Sequence, residues 1–227
     1  MQLFRVLALS MPLISFAASN EVSAEDVLGK LDQSAPKFSS MTADLTRISY
    51  TKVIDDKANE FGKIALRKLG PKDLQVLIEF TKPDPRTVTF RGRKAEIFYP
   101  KLNTVQEYDL GKKTDLIDQF LLVGFGTMGR ELKANYSVKY AGDETVAGQK
   151  AHKLELVPSS DARRQKLQRL ELWISDSGAY PVQQKFLQPS GDYYLFTYND
   201  VKLNPQLGED AFRLKLPKGV KRERPLK

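Results

Sequence analysis

The sequence predicts a mainly β protein: an antiparallel sheet of about eleven strands, one amphipathic helix at its N-terminus and one helical interruption near the middle. Three observations carry this. Apolar and polar residues alternate with a period of two through segment after segment between Met41 and Leu216. Turn residues mark the joints at short intervals. The alternation breaks conspicuously only at Asp115–Phe125, DLIDQFLLVGF, where apolar residues recur at helical spacing.

Ahead of this body, Met1–Arg5 brings one positive charge, Val6–Ala18 is an apolar run broken by Ser10, Pro12 and Ser15, and Val22-Ser23-Ala24 supplies small residues. That order reads as a secretory signal peptide over residues 1–24, cleaved after Ala24 or, as the alternative, after Ala17. The apolar run is shorter than the roughly 20 residues a bilayer span needs. A single domain over 25–227 is then expected in the periplasm. The chain has no cysteine, hence no disulfide framework and no thiol for lipid attachment. About 200 residues can stand on a hydrophobic core alone.

The net charge is +8. In an exported protein that sign favours contact with an anionic membrane surface over nucleic acid. The densest clusters, Arg163-Arg164-Gln165-Lys166 with Arg169, and Lys218, Lys221, Arg222, Arg224 and Lys227, read as solvated loop and tail. Aromatic residues do not interleave with them as a single-strand binder requires, so no nucleic-acid partner is expected.

Val27, Leu28, Leu31 and Ala35 share one face of a helix over Glu25–Ala35. Ser23-Ala24-Glu25-Asp26 has the form of a capping box, although cleavage after Ala24 would remove its serine. Pro36 ends the helix. Strands follow at Met41–Lys52, Gly62–Lys68, Leu74–Thr81, Thr87–Arg91, Ala95–Tyr99 and Thr104–Leu110. The second half adds Tyr136–Tyr140, Lys150–Val157, Leu167–Ser175, Val182–Gln188, Tyr193–Tyr198 and Phe212–Leu216. The alternation is cleanest in the third strand, where Leu74, Val76, Ile78 and Phe80 face one way. Short, turn-rich joints favour hairpins over βαβ units. So much one-sided apolar sheet must be covered. Two stacked sheets would do it without helices, and so would one curved sheet wrapped around helices, leaving a lined hollow. Periodicity leaves both open.

Within the interruption, Leu116, Ile117, Phe120, Leu121 and Val123 recur at helical spacing, Thr114 is placed to cap them and Gly124 closes the run. Gly111 lies before it and Gly124 and Gly126 after it. A short apolar helix between glycines suits a hinged lid, and equally a fixed plug at the end of a barrel. Gly124-Phe125-Gly126-Thr127-Met128-Gly129 also spells G-x-G-x-x-G. A dinucleotide site needs a full crossover helix after it, and Arg130–Ala134 is too short, so the match reads as coincidence.

Catalytic chemistry has little to stand on. His152 is the single histidine and falls on a predicted strand. Without cysteine or a second histidine the usual zinc sites cannot be built. A triad through His152 is formally possible, but no G-x-S-x-G elbow occurs. The acidic pairs Asp55-Asp56 and Asp143-Glu144 lack calcium-loop spacing. No enzyme activity, metal or cofactor is expected.

From about Glu25 to Arg222 the chain resembles the LolA-like periplasmic carriers and outer-membrane lipoprotein-sorting proteins. The resemblance is carried by the N-terminal helix, Met41-Thr42-Ala43-Asp44-Leu45-Thr46-Arg47, Gly62-Lys63-Ile64-Ala65-Leu66-Arg67-Lys68, Phe80-Thr81-Lys82-Pro83, and Gly92 with Ile97-Phe98-Tyr99-Pro100. It continues in Phe120-Leu121-Leu122-Val123-Gly124-Phe125-Gly126, Leu154-Glu155-Leu156-Val157-Pro158, Leu170-Glu171-Leu172-Trp173-Ile174 and Phe212–Val220.

The resemblance implies an unclosed antiparallel β-barrel with a helical lid over an apolar cavity for acyl chains. It implies a monomeric shuttle for lipoproteins or a related lipid, touching membranes transiently, loaded by an inner-membrane transporter and unloaded at an outer-membrane acceptor. Val76, Ile78, Phe80 and Phe98 are then expected to line the cavity. Leu116, Ile117, Phe120, Leu121 and Val123 would form the lid, with Gly111, Gly124 and Gly126 as its hinges. The carriers' lid-holding arginine, followed by proline, falls near Arg67-Lys68-Leu69, with lysine in the arginine's place and no proline. Arg67 and Lys68 are the latch candidates, and lysine does not reproduce a planar guanidinium fork. An acyl chain of about fourteen carbons, at roughly 0.8 kcal/mol per buried CH₂, gains on the order of 10 kcal/mol from such a cavity. A lipid-sensing or regulatory module on the same fold is the alternative, and a hydrolase with a polar cleft the less favoured one.

Overall fold

A computed structural model describes residues 22–70, 73–111 and 123–225. The expected signal peptide up to residue 21 and the expected lid residues Leu116, Ile117, Phe120 and Leu121 lie outside the described residues.

Among the described residues, twelve strands form one sheet. They are β1 (Ser40–Thr51), β2 (Asp56–Gly70), β3 (Asp73–Lys82), β4 (Arg86–Arg91), β5 (Lys94–Tyr99), β6 (Thr104–Asp109), β7 (Tyr136–Val146), β8 (Gln149–Pro158), β9 (Arg169–Ser175), β10 (Pro181–Leu187), β11 (Tyr193–Leu203) and β12 (Lys221–Glu223). Their order is β12-β6-β5-β4-β3-β2-β1-β11-β10-β9-β8-β7. Two meanders therefore meet where β1 pairs with β11. Among the described residues the edges, β7 and β12, are not paired with each other, so the sheet is an unclosed barrel and not a sandwich. Every pairing is antiparallel except β12 with β6.

Residues Phe212–Leu216, expected as a strand, do not form one. Glu209–Phe212 is a turn of 3₁₀ helix within a strap that runs from β11 to β12. The alternating pattern there reflects packing on the sheet and not membership of it: Phe212 is fully buried, and the Arg67 guanidinium lies 4.9 Å from its ring centre.

Register assigns the two faces. Leu66 pairs with Val76 and Ile64 with Ile78, and these side chains join Met41, Leu45, Phe80 and Val88 in one cluster on the inner face. Ala65 and Leu77, one residue along, take the outer face beneath the strap. Fully burying such aliphatic side chains stabilises the fold by about 1.5–3 kcal/mol each.

Helices cover the other half of the inner face. Helix α1 (Ala24–Ser34) places Val27, Leu28 and Leu31 against Leu154, Leu156, Leu170 and Leu172. Ser23 caps it: the Asp26 amide donates to Ser23 Oγ at 3.2 Å and the Ser23 amide donates to Asp26 Oδ2 at 2.9 Å. Val22, immediately before the cap, packs on the same cluster as Val27, the two positions of a hydrophobic staple. Helix α2 (Gly129–Asn135) crosses α1 at close range. A Cβ on Gly129 would overlap the Leu28 carbonyl oxygen, so only glycine permits the approach. A third helix, α3, is one turn at Asp161–Arg164.

Strands β6 and β7 stand toward opposite ends of the sheet. Of the segment between them, Val123–Phe125 is buried on the inner face, Val123 in the α1 half and Phe125 in the β1–β4 half.

Candidate functional site

The apolar inner face and the segment Val123–Gly126 that lies on it form the candidate site. Leu45, Ile64, Leu66, Val76, Ile78, Phe80 and Val88 make a floor across four adjacent strands, with half-buried Phe90 and Ile97 continuing it toward β6. Phe98, expected in this lining, is placed otherwise. It pairs with Thr87 and Val105 and follows Ile97 by one residue, so strand alternation turns it to the outer face.

The segment Val123–Gly126 is tied down. Gln184, fully buried on β10, donates its side-chain amide to the Val123 carbonyl and accepts the Tyr198 hydroxyl proton at 2.7 Å. Burial pushes the Tyr198 hydroxyl well above its ordinary pKa, so it stays a donor. Phe125 meets Tyr198 edge to face, ring centres 5.1 Å apart, and approaches Phe38 at 6.1 Å. Gly124 (φ +90°) and Gly126 (φ +64°) hold backbone conformations that other residues rarely adopt, and each is in close contact, with Pro181 and Phe38 respectively. Gly111, after β6, also has positive φ, +52°.

The structure separates the two latch candidates. Lys68 follows Leu66 on the inner face, and its Nζ donates to the Gly126 carbonyl at 3.0 Å. Arg67 points the other way. It donates to the Leu207 carbonyl at 2.7 Å and to Gln75 Oε1 at 2.5 Å, and pairs with Glu209, so it holds the strap and not Val123–Gly126.

Beside the anchor, a crevice of about 490 Å³ opens between the end of α1, Phe38, Gly124–Gly126 and the β9–β10 turn. Lys30 reaches across from α1 to Asp176 Oδ1 at 2.8 Å. Behind this pair sits His152, buried, its Nδ1 2.6 Å from Asp143 and its Nε2 2.9 Å from Asp176. Both ring nitrogens are engaged by carboxylates, so neither is placed to take a serine proton. The three glycines of the G-x-G-x-x-G match are accounted for by two strained turns and one helix contact.

Gln184 and Tyr198 were not singled out from the sequence. A signal exists: Gln184 lies two residues before Phe186, in the inward register of a strand, and a buried amide must find partners.

Residues 125–222 match the family model described as "Predicted periplasmic protein (DUF2092)". That description agrees with the periplasmic compartment expected from the sequence. No curated protein matches the sequence. Among solved structures, an uncharacterized conserved protein from Thermus thermophilus superposes with a TM-score of 0.54 at 12% identity, covering 88% of this chain and 98% of the other. MucB superposes with a TM-score of 0.50 at 15% identity over 84% of this chain, which spans only 62% of MucB's length. A LolA superfamily protein from Nitrosomonas europaea is also similar, with a TM-score of 0.38, 16% identity, and 86% and 99% cover. At these identities the first two superpositions establish a shared fold.

Proposed function

We propose that the chain is a periplasmic lipid-binding carrier whose inner face takes up acyl chains of a lipoprotein or related lipid. The observation that carries this reading is the continuous apolar floor on four strands, with the segment Val123–Gly126 tied beside it through two backbone carbonyls. Val76, Ile78 and Phe80 are the floor in this proposal. Leu116, Ile117, Phe120, Leu121 and Val123 are the cover, swinging from the tether at Val123–Gly126 and pivoting also at Gly111. Lys68 serves as the latch. A cavity that releases its cargo must hold it without the dense packing of a closed core.

Shuttling between an inner-membrane transporter and an outer-membrane acceptor is the fuller form of the same proposal. So is a single domain that takes in α1 with its cap at Ser23, working as a monomer without catalysis. Native mass spectrometry of protein isolated from the periplasm without detergent tests it. A bound lipid or acylated peptide that exchanges into vesicles is the expected result, and an empty protein that takes up no lipid would refute it.

A further inference from the structure

The inner face changes character at one level. On four neighbouring strands the next inward position after the apolar floor is no longer aliphatic: Arg47 follows Leu45, Glu60 follows Gly62 and Ile64, Phe80 follows Ile78, and Arg86 stands beyond Val88. Arg86 pairs with Glu60 at 2.6 Å and Arg47 pairs with the same carboxylate at 3.3 Å. Both guanidinium groups lie on the Phe80 ring, 4.1 and 5.9 Å from its centre, and Arg47 also lies 4.9 Å from the Tyr194 ring centre. The cluster is mostly buried, with side-chain exposures of 26% for Arg47, 14% for Glu60 and 17% for Arg86. Two guanidinium groups therefore share one carboxylate in a partly desolvated place, and Arg47 Nε is buried without a hydrogen-bond partner among the described residues. Excess positive charge in such a place is costly until an anion completes it.

We propose that Arg47 and Arg86 form the headgroup site for an anionic amphiphile, binding its phosphate or similar oxyanion while the chain lies on the floor beyond Phe80. This rests on the inner face taking acyl chains and specifies which ones. Guanidinium forks match a tetrahedral oxyanion bidentately, and the aromatic rings hold the forks in place. Glu60 keeps the pair together when no ligand is bound and competes with the ligand for it.

Titration calorimetry below the micellar concentration compares monododecyl phosphate, dodecyl maltoside and inorganic phosphate on the full chain. The expected result is binding of the phosphate amphiphile about tenfold tighter than of the neutral one, with inorganic phosphate much weaker than either. Arg47→Gln and Arg86→Gln should abolish the preference by bringing dodecyl phosphate binding down to that of dodecyl maltoside. Glu60→Gln should sharpen the preference, a gain that mere loss of structure cannot produce, and Arg86→Lys should reduce it in a variant that keeps the charge. Equal binding of the two amphiphiles, or an unchanged preference in the arginine variants, overturns the headgroup site and leaves the carrier proposal standing. Inorganic phosphate binding as tightly as dodecyl phosphate overturns it in favour of a free-anion site. Binding of no amphiphile at all overturns both.

Discussion

Gln184 donates to the main-chain carbonyl of Val123, and through that bond a buried strand residue fixes where the segment Val123–Gly126 comes to rest. The same side chain accepts from Tyr198, which in turn supports Phe125. Replacing Gln184 by alanine strands both a carbonyl and a hydroxyl in a buried place. A loss of about 1–3 kcal/mol is expected from denaturant unfolding. Faster amide exchange at residues 123–126 than in β2 and β3 should accompany it; uniform loss of protection across the sheet would show that Gln184 merely supports the core.

Lys68 makes the second tie, to the Gly126 carbonyl. Lys68→Met keeps the aliphatic stem and removes the donor. Stability should fall by only about 1 kcal/mol, while the release rate of bound lipid into vesicles should rise several-fold. Arg67→Met should instead loosen the strap, with protease cutting near Leu207–Phe212 and lipid release unaltered. Identical effects of the two substitutions would contradict the assignment of one to each face.

Gly129 faces the Leu28 carbonyl with no room for a methyl group. Gly129→Ala should push α2 off α1 and cost about 1–3 kcal/mol, as overpacking does. The check is a thermal melt beside Gly208→Ala, where nothing lies within 4 Å and little change is expected.

Lys30 and, after it, His152 hold Asp176 at a pKa of about 2, down from an ordinary 3.8. A carboxylate with a depressed folded pKa stabilises above its ordinary value, and that stabilisation is lost as pH falls from about 4 toward about 2. Asp176→Asn should therefore melt lower than the unaltered protein at neutral pH, and the two curves should converge near pH 2. A gap that stayed constant through that window would show that the ion pair contributes nothing titratable. Because Asp176 is well exposed, salt should narrow the gap.

Much of the fold was legible because period-two alternation survives wherever one face is buried. The β3 pattern of Leu74, Val76, Ile78 and Phe80 led directly to the floor. Phe98 and Phe212–Leu216 misled for one reason: burial is not confined to the inner face, since Phe98 is buried on the outer side of β5 and Phe212 is buried in the strap outside the sheet, so an apolar residue on a strand or beside it does not say which face it serves. The capping box at Ser23 was visible, and its use in the structure bears on the leader. Since Ser23 caps α1 and Val22 packs beneath it, N-terminal sequencing of the mature protein should find a cut before Val22, as cleavage after Ala17 would give, and not after Ala24. The tether at Gln184 escaped because its partners are main-chain carbonyls, which no side-chain pattern announces. The arginine cluster escaped because Arg47, Glu60 and Arg86 lie on three strands and meet only through register.

The most direct test of the central claim is photo-crosslinking with a diazirine-labelled fatty acid, followed by mapping of the labelled peptides. Label on Val76, Ile78 and Phe80 and on the proposed cover at residues 112–125 is the predicted outcome. Label confined to the outer face, at Ala65, Leu77 and the strap around Phe212, would contradict it.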